Sequence, residues 1–166
     1  ALKGPDQFSP KDPNFWTKDA AQYVKQAQQV LNYSANLTDR EKVIAEYWAD
    51  GPSSELPPGH WALFAEFISA RDHHTIDQDT KMFFAMTNAV LDASVSSWHF
   101  KRTFDYIRPV SAIHFLFAGQ QVRAWAGPGL GTRLINGTDW KPYQASTVVT
   151  PPFAEYVSGH SIFSGS

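Results

Sequence analysis

Four residues near the end of the longest helical pattern have the types and spacing of an anion-binding face. Trp98, Lys101, Asp105 and Arg108 follow a 3-4-3 spacing, which predicts one shared face of an α-helix. On such a face Arg108 would offer an oxyanion a planar fork of donors, and Lys101 a point charge. A solvated face, on which Asp105 pairs with either cation, explains the same spacing. The spacing leaves both interpretations open.

The second candidate is Ser158-Gly159-His160, at the predicted start of a helix. A serine in this position is ordinarily an N-cap. With first-turn amides and a glycine that lets the backbone come close, it can also hold an anion. His160 beside that anion would be placed for proton transfer, because imidazole exchanges protons near neutral pH. The alternative is a capped helix with an incidental histidine.

Helical periodicity predicts the elements that position these residues. The longest helix is predicted from about Asp77 to Ile107, since this stretch has neither Gly nor Pro and its apolar residues keep helical spacing. A capping box at Thr38–Glu41 predicts the start of a shorter one. Three prolines predict an extended arm over 1–15. Five Gly and four Pro between Gly119 and Pro152 predict a long loop over 119–152. The pattern predicts an all-α fold and a single helical domain over 1–166.

Composition excludes several classes of protein. The 166 residues carry a formal net charge of −2 and no Cys, which argues against nucleic-acid binding, disulfides and thiolate metal sites. The longest uncharged apolar-leaning stretch, 109–122, is shorter than the roughly 20 residues of a membrane span. A hydrophobic content of 43% suffices for a core. We therefore expect a soluble globular protein of undetermined compartment, with secretion or the periplasm slightly favoured.

Together the two segments resemble a known family signature. Lys-x6-Arg-Pro followed by Pro-Pro-Phe and Ser-Gly-His-Ser is similar to the motif of the vanadium-dependent haloperoxidases and their relatives, the acid phosphatases of the type 2 phosphatidic-acid-phosphatase superfamily. Trp98 and Phe153, at their offsets from Lys101 and Ser158, are typical of the chloroperoxidase-like bacterial branch. The resemblance reaches from about Trp48 onward and implies a fold of helix bundles, in agreement with the all-α prediction.

The resemblance implies a role for each matching residue. Vanadate, with phosphate as its analogue, would be held by Lys101, Arg108, Ser158 and Gly159. His160 would be the acid–base residue, and Lys101 would also polarise the peroxide toward halide. The halide and organic-substrate side would be lined by Trp98 and Phe153.

The resemblance also implies a part that this chain lacks. In the family, a further Arg and the vanadium-ligating His follow the Ser-Gly-His segment, whereas this chain ends six residues after His160. The other histidines precede Ser158 and do not fit by motif: His60, His73, His74, His99 and His114. We therefore expect no vanadium ligand in this chain, and a second fragment or the C-terminal part of the same protein to supply both residues. The isolated chain is expected neither to retain vanadate tightly nor to turn over.

Three hypotheses for function follow. The first is a vanadium-dependent haloperoxidase that oxidises halide with hydrogen peroxide. The second is an acid phosphatase that hydrolyses phosphate monoesters at the same oxyanion site. The third is a non-catalytic helical fragment that binds an oxyanion or a partner.

Overall fold

The computed structural model describes residues 20–166 and is mostly helical, as the sequence predicts. The arm predicted over 1–15 lies outside the described residues. Six α-helices, a hairpin and a short 3-10 helix, Gly137–Asp139, make up the regular structure of the described part. In chain order the helices and strands are α1 Ala20–Ala35, α2 Asp39–Tyr47, α3 Leu56–Asp72, α4 Ile76–Phe104, α5 Pro109–Leu116, β1 Gln121–Trp125, β2 Thr132–Asn136 and α6 Gly159–Gly165.

The described residues divide into two compact units, each made of two stretches of chain. The first unit contains Asp50–Asp105 and Tyr156–Ser166, and the second contains 20–49 and Tyr106–Glu155. The first therefore holds α3, α4 and α6, and the second holds α1, α2, α5 and the hairpin. Compact units also occur within one domain, so the single domain over 1–166 stays a prediction.

Capping boxes fix the starts of two helices. The predicted box before α2 is confirmed: the Thr38 hydroxyl accepts a hydrogen bond from the Glu41 amide at 3.3 Å, and the Glu41 carboxylate accepts from the Thr38 amide at 2.7 Å. Thr75 and Gln78 form the same arrangement before α4. Each box satisfies amides that have no partner within the helix.

The structure corrects the predicted end of the longest helix. α4 ends at Phe104, and Asp105 caps it in the left-handed conformation with φ 49°. Arg108 is instead the extended residue before α5, because proline at 109 disfavours helical backbone in the residue that precedes it. The prediction that Trp98, Lys101, Asp105 and Arg108 share one helical face is therefore wrong.

The predicted long loop over 119–152 is wrong in part, because it contains an antiparallel hairpin. β1 pairs with β2 in a register that sets Gln121 opposite Asn136 and Trp125 opposite Thr132. On β1, Val122 and Ala124 are buried while Gln121 and Arg123 are exposed. Five residues are too few for this alternation to stand out in a sequence rich in Gly and Pro, so the pattern was missed.

The second unit has a continuous core between α1, α5 and the hairpin. Ser34 on α1 connects these parts, since its hydroxyl accepts hydrogen bonds from the Trp125 amide and the Trp140 indole, both at 3.2 Å. His114 on α5 lies 2.7 Å from the Trp140 carbonyl through Nε2. The buried apolar residues of this core are Ala27, Leu31, Ile113, Phe117, Val122, Ala124 and Trp140.

The first unit packs α4 against α3 and α6. Ala65 of α3, Ala93 and Phe100 of α4 and Phe163 of α6 are its buried apolar residues. The short helix α6 therefore packs against α4, on whose last turns the first candidate residues lie.

Within 20–166, no helix combines the length and the apolar content that crossing a membrane requires.

Candidate functional site

Lys101 is buried in the first unit. It lies on the last turn of α4 with 4% of its surface exposed, beside the buried residues Ser97 and Phe100. A solvated face is therefore not the environment of this lysine. An ammonium group taken out of water is costly unless negative charge or hydrogen-bond acceptors compensate it. A buried lysine therefore requires compensating groups inside the first unit.

Ser158 is confirmed as the N-cap of α6. Its hydroxyl accepts a hydrogen bond from the Ser161 amide at 3.3 Å. Capping uses the oxygen as an acceptor, and a hydroxyl keeps its own proton for another partner. Gly159 follows as the first helical residue, and a Cβ there would lie 3.9 Å from a ring atom of Trp98. The structure thus brings Trp98, which is 47% exposed, beside the Ser-Gly-His segment.

Asp50 joins two histidines of the first unit. Its Oδ1 lies 2.9 Å from Nδ1 of His60, and its Oδ2 lies 3.9 Å from Nε2 of His160. The side chains of Asp50 and His60 are 3% and 6% exposed, whereas that of His160 is 50% exposed. The candidate acid–base residue therefore has a buried carboxylate on one side and solvent on the other.

Sequence reasoning missed this role of Asp50 and His60. In the sequence, Asp50 belongs to an Asp-Gly-Pro helix stop, and His60 follows the Pro-Pro-Gly segment near the start of the next helix. No spacing rule connects them to His160, which is far away along the chain. The available signal was the family resemblance that reaches from about Trp48 onward, which names no partner for either residue.

A possible cation group lies at the same place. Asp50, Glu55 and His60 each offer one ligand atom, and the three atoms lie within 4.8 Å of one another. The distance between Asp50 and His60 is that of a hydrogen bond. The geometry therefore favours a hydrogen-bonded pair with Glu55 at its edge.

Arg108 and Phe153 meet in the second unit. The guanidinium carbon lies 5.4 Å from the centroid of the Phe153 ring, within the range of a cation–π contact. Arg108 Nε is buried and has no hydrogen-bond partner within residues 20–166. Burial lowers the pKa of Arg108 from its ordinary value, and the charge of Glu155 opposes that shift. The side chain remains a cation with an unused donor.

A family model and two solved structures are similar to this chain. A family model described as the VCPO second helical-bundle domain matches residues 81–166. The structure resembles that of an apo-type bacterial vanadium-dependent chloroperoxidase, with a TM-score of 0.78 and 26% identity over 96% of this chain and 34% of that chain. The holo-type structure gives a TM-score of 0.77 and 25% identity over 96% and 33%. This chain thus spans about a third of the length of those structures. No curated protein matches it.

Proposed function

The chain belongs to the vanadium chloroperoxidase family, and on that premise we propose that it forms part of a vanadium-dependent haloperoxidase, which oxidises halide with hydrogen peroxide. The observation that carries the proposal is the buried Arg108 Nε, which has no hydrogen-bond partner within residues 20–166. A buried guanidinium donor without an acceptor is suited to bind an oxyanion. Because the chain spans about a third of its structural relatives, the activity of a whole enzyme remains a proposal.

The residues of each unit fit an oxyanion such as vanadate or its analogue phosphate. In the first unit, Lys101 is buried, Ser158 has a hydroxyl proton to donate, and Gly159 has a first-turn amide without an intrahelical acceptor. In the second unit, Arg108 Nε is a donor without an acceptor in the described part of the chain. These are the charged and neutral donors that an oxyanion requires.

Each residue has a distinct task in the proposal. Lys101 and Arg108 would each supply positive charge to the anion, and Ser158 and Gly159 would supply hydrogen bonds to its oxygens. His160, whose side chain is 50% exposed, would exchange protons with the peroxide. Vanadate, when bound, would supply the centre at which hydrogen peroxide is activated. We propose that the vanadium-ligating His and the further Arg come from sequence outside this chain.

Trp98 and Phe153 complete the proposal on the substrate side. Trp98 is 47% exposed and Phe153 is 39% exposed, so each presents part of an aromatic surface to solvent. Such surfaces suit a polarisable halide and an apolar organic substrate. We assign them to the halide and substrate side on this basis.

The test compares two reactions of the complete protein that contains this chain. Chlorination or bromination of monochlorodimedone in vanadate and hydrogen peroxide measures haloperoxidase activity, and hydrolysis of p-nitrophenyl phosphate measures phosphatase activity. Replacement of the acid–base residue, His160→Ala, should lower halogenation about 100-fold or more. The matched control is His73→Asn, which changes an exposed histidine at the end of α3 and should leave the rate unchanged.

Other outcomes would decide between the hypotheses. Phosphate-ester hydrolysis without halogenation would identify an acid phosphatase instead. If both activities persist unchanged in His160→Ala, the helical part is a binding module and the proposal is wrong.

A further inference from the structure

Asp50 is the buried centre of a cluster to which the proposed function gives no role. Its Oδ1 lies 2.9 Å from His60 Nδ1, and its Oδ2 lies 3.9 Å from His160 Nε2. Oδ2 is buried and has no hydrogen-bond partner among residues 20–166. One carboxylate oxygen is therefore held by His60, and the other lies beside His160.

The roles of the two groups in the first contact follow from the charge of the carboxylate. An ionised carboxylate has only acceptors, and Nδ1 of His60 is then the donor of this hydrogen bond. The imidazole is 6% exposed, and its ring centroid lies 4.9 Å from that of Phe64. Packing against Phe64 thus limits the directions in which the ring can donate.

We propose that His60 is a positioning residue for His160 and acts through Asp50. By holding Oδ1, His60 sets the rotation of the Asp50 carboxylate and keeps Oδ2 beside Nε2 of His160. At 3.9 Å the carboxylate is beyond hydrogen-bond distance of Nε2, but its negative charge still favours the tautomer that is protonated there. Nδ1 of His160 is then the nitrogen that exchanges a proton with substrate. This inference rests on the proposed acid–base role of His160.

Glu55 is the other acidic group at the cluster. Its Oε1 lies 3.9 Å from His60 Nδ1, and its side chain is 39% exposed, so it is too far away for a hydrogen bond. Asp50, by contrast, is buried and within hydrogen-bond distance. The observations favour the Asp50–His60 pair, and cation binding becomes one outcome of the test.

The first measurement is the ¹⁵N NMR signals of the His160 ring in the 166-residue chain at alkaline pH, since these signals report which nitrogen is protonated. His60→Gln moves the donor to the position of Nε2, and His60→Asn keeps a donor at the position of Nδ1. We expect His60→Gln and Asp50→Asn to shift the His160 signals in the same direction. We expect His60→Asn to leave them near those of the wild type.

The matched control is His74→Gln. It breaks a second pair of the first unit, in which His74 Nδ1 lies 3.2 Å from Asp79 Oδ1, and should not move the His160 signals. Thermal unfolding of each variant verifies that it is folded. If His60→Gln does not fold, the comparison of Asp50→Asn with His60→Asn still tests the proposal.

The second measurement is activity of the complete protein. His60→Gln should lower kcat about 10-fold, as loss of an outer partner of a site residue does, with KM for halide unchanged and activity restored in His60→Asn. The proposal is overturned if His60→Gln leaves the His160 signals unchanged, or if His74→Gln shifts them by the same amount. It is also overturned if a chelator shifts the signals of the wild type, because a bound cation would then explain the cluster. If His60→Gln and Asp50→Asn shift the His160 signals together but the complete protein does not halogenate, the positioning role is supported and the proposed function is rejected.

Discussion

The aromatic ring of Phe153 covers the guanidinium of Arg108, with 5.4 Å between the ring centroid and the guanidinium carbon. A backbone hydrogen bond of 3.0 Å from the Glu155 amide to the Tyr106 carbonyl holds their two segments side by side. The ring lies against the guanidinium, and Nε has no hydrogen-bond partner within the described residues 20–166. Arg108 is thus prepared for an acceptor before any ligand arrives.

Arg108→Lys should weaken binding of orthovanadate and of phosphate about 10-fold or more. Lysine keeps the charge but loses the planar fork and its charge-assisted hydrogen bonds. Titration calorimetry of the complete protein would measure this change. The control is Arg133→Lys, at an exposed position of β2, and equal weakening by both variants would contradict a specific role for Arg108.

The isolated 166-residue chain should bind vanadate only weakly. The proposal takes the vanadium-ligating His and a further Arg from outside this chain, so the anion would lose a covalent ligand and a cation. Equilibrium dialysis of the chain against vanadate, beside the complete protein, would measure the difference. Retention of vanadate by the chain as tight as by the complete protein would show that the ligand set proposed here is wrong.

Gly137→Ala should destabilise the second unit by about 1–3 kcal/mol, as overpacking does. A Cβ at Gly137 would lie 2.6 Å from Cβ of Phe117, which is buried in the core. Relieving this overlap would require the backbone of Gly137 or the buried Phe117 to shift, and either shift costs free energy of folding. Urea unfolding of the chain would measure the loss. For comparison, a Cβ at Gly165 would meet nothing within 4 Å, and Gly165→Ala should be close to neutral.

Glu41→Gln should reduce the stability of α2 at neutral pH but not in acid. The hydrogen bonds from Thr38 lower the pKa of Glu41 below its ordinary value of 4.5. A lowered pKa in the folded state means that the ionised carboxylate contributes stability above its unfolded pKa and loses it as the pH falls through the folded one. The effect is small because the side chain is solvent-exposed.

Far-UV circular dichroism melts of wild type and Glu41→Gln, compared at neutral pH and near pH 3, would test this. The two melting curves should differ at neutral pH and converge in acid. Glu66→Gln changes another exposed glutamate, on α3, and should show no such pH-dependent difference. A Glu41→Gln difference that persists in acid would show that the charge is not its cause.

Local signals predicted the helices, and long-range contacts decided what the sequence did not reveal. The Thr38 capping box is formed by residues that are close together in the chain, so the sequence alone predicts it. The end of α4 depends on one residue, Asp105, in a left-handed conformation, while apolar spacing continues beyond it. The hairpin is stabilised by a hydrogen bond to Ser34, which is far away along the chain. Its strands have five residues each, which is too short for their alternation to predict them from the sequence.

The candidate site divides in the same way. Motif similarity selected Lys101, Arg108 and the Ser-Gly-His segment as candidates, and the structure adds the burial of Lys101 and the unused donor of Arg108. The Asp50–His60 pair was not predicted, because nothing in either local segment indicates a hydrogen bond between them.

The interleaved composition of the two units has a consequence for synthesis on the ribosome. Residues 20–49 emerge before their partners in the second unit, Tyr106–Glu155, and Asp50–Asp105 must likewise wait for Tyr156–Ser166. Neither unit can complete its core from one uninterrupted stretch, so contacts of large sequence separation must form and should slow folding. A nascent chain halted near residue 105 would expose the apolar surfaces that both units later bury. It would depend on chaperones until the remaining residues are synthesised.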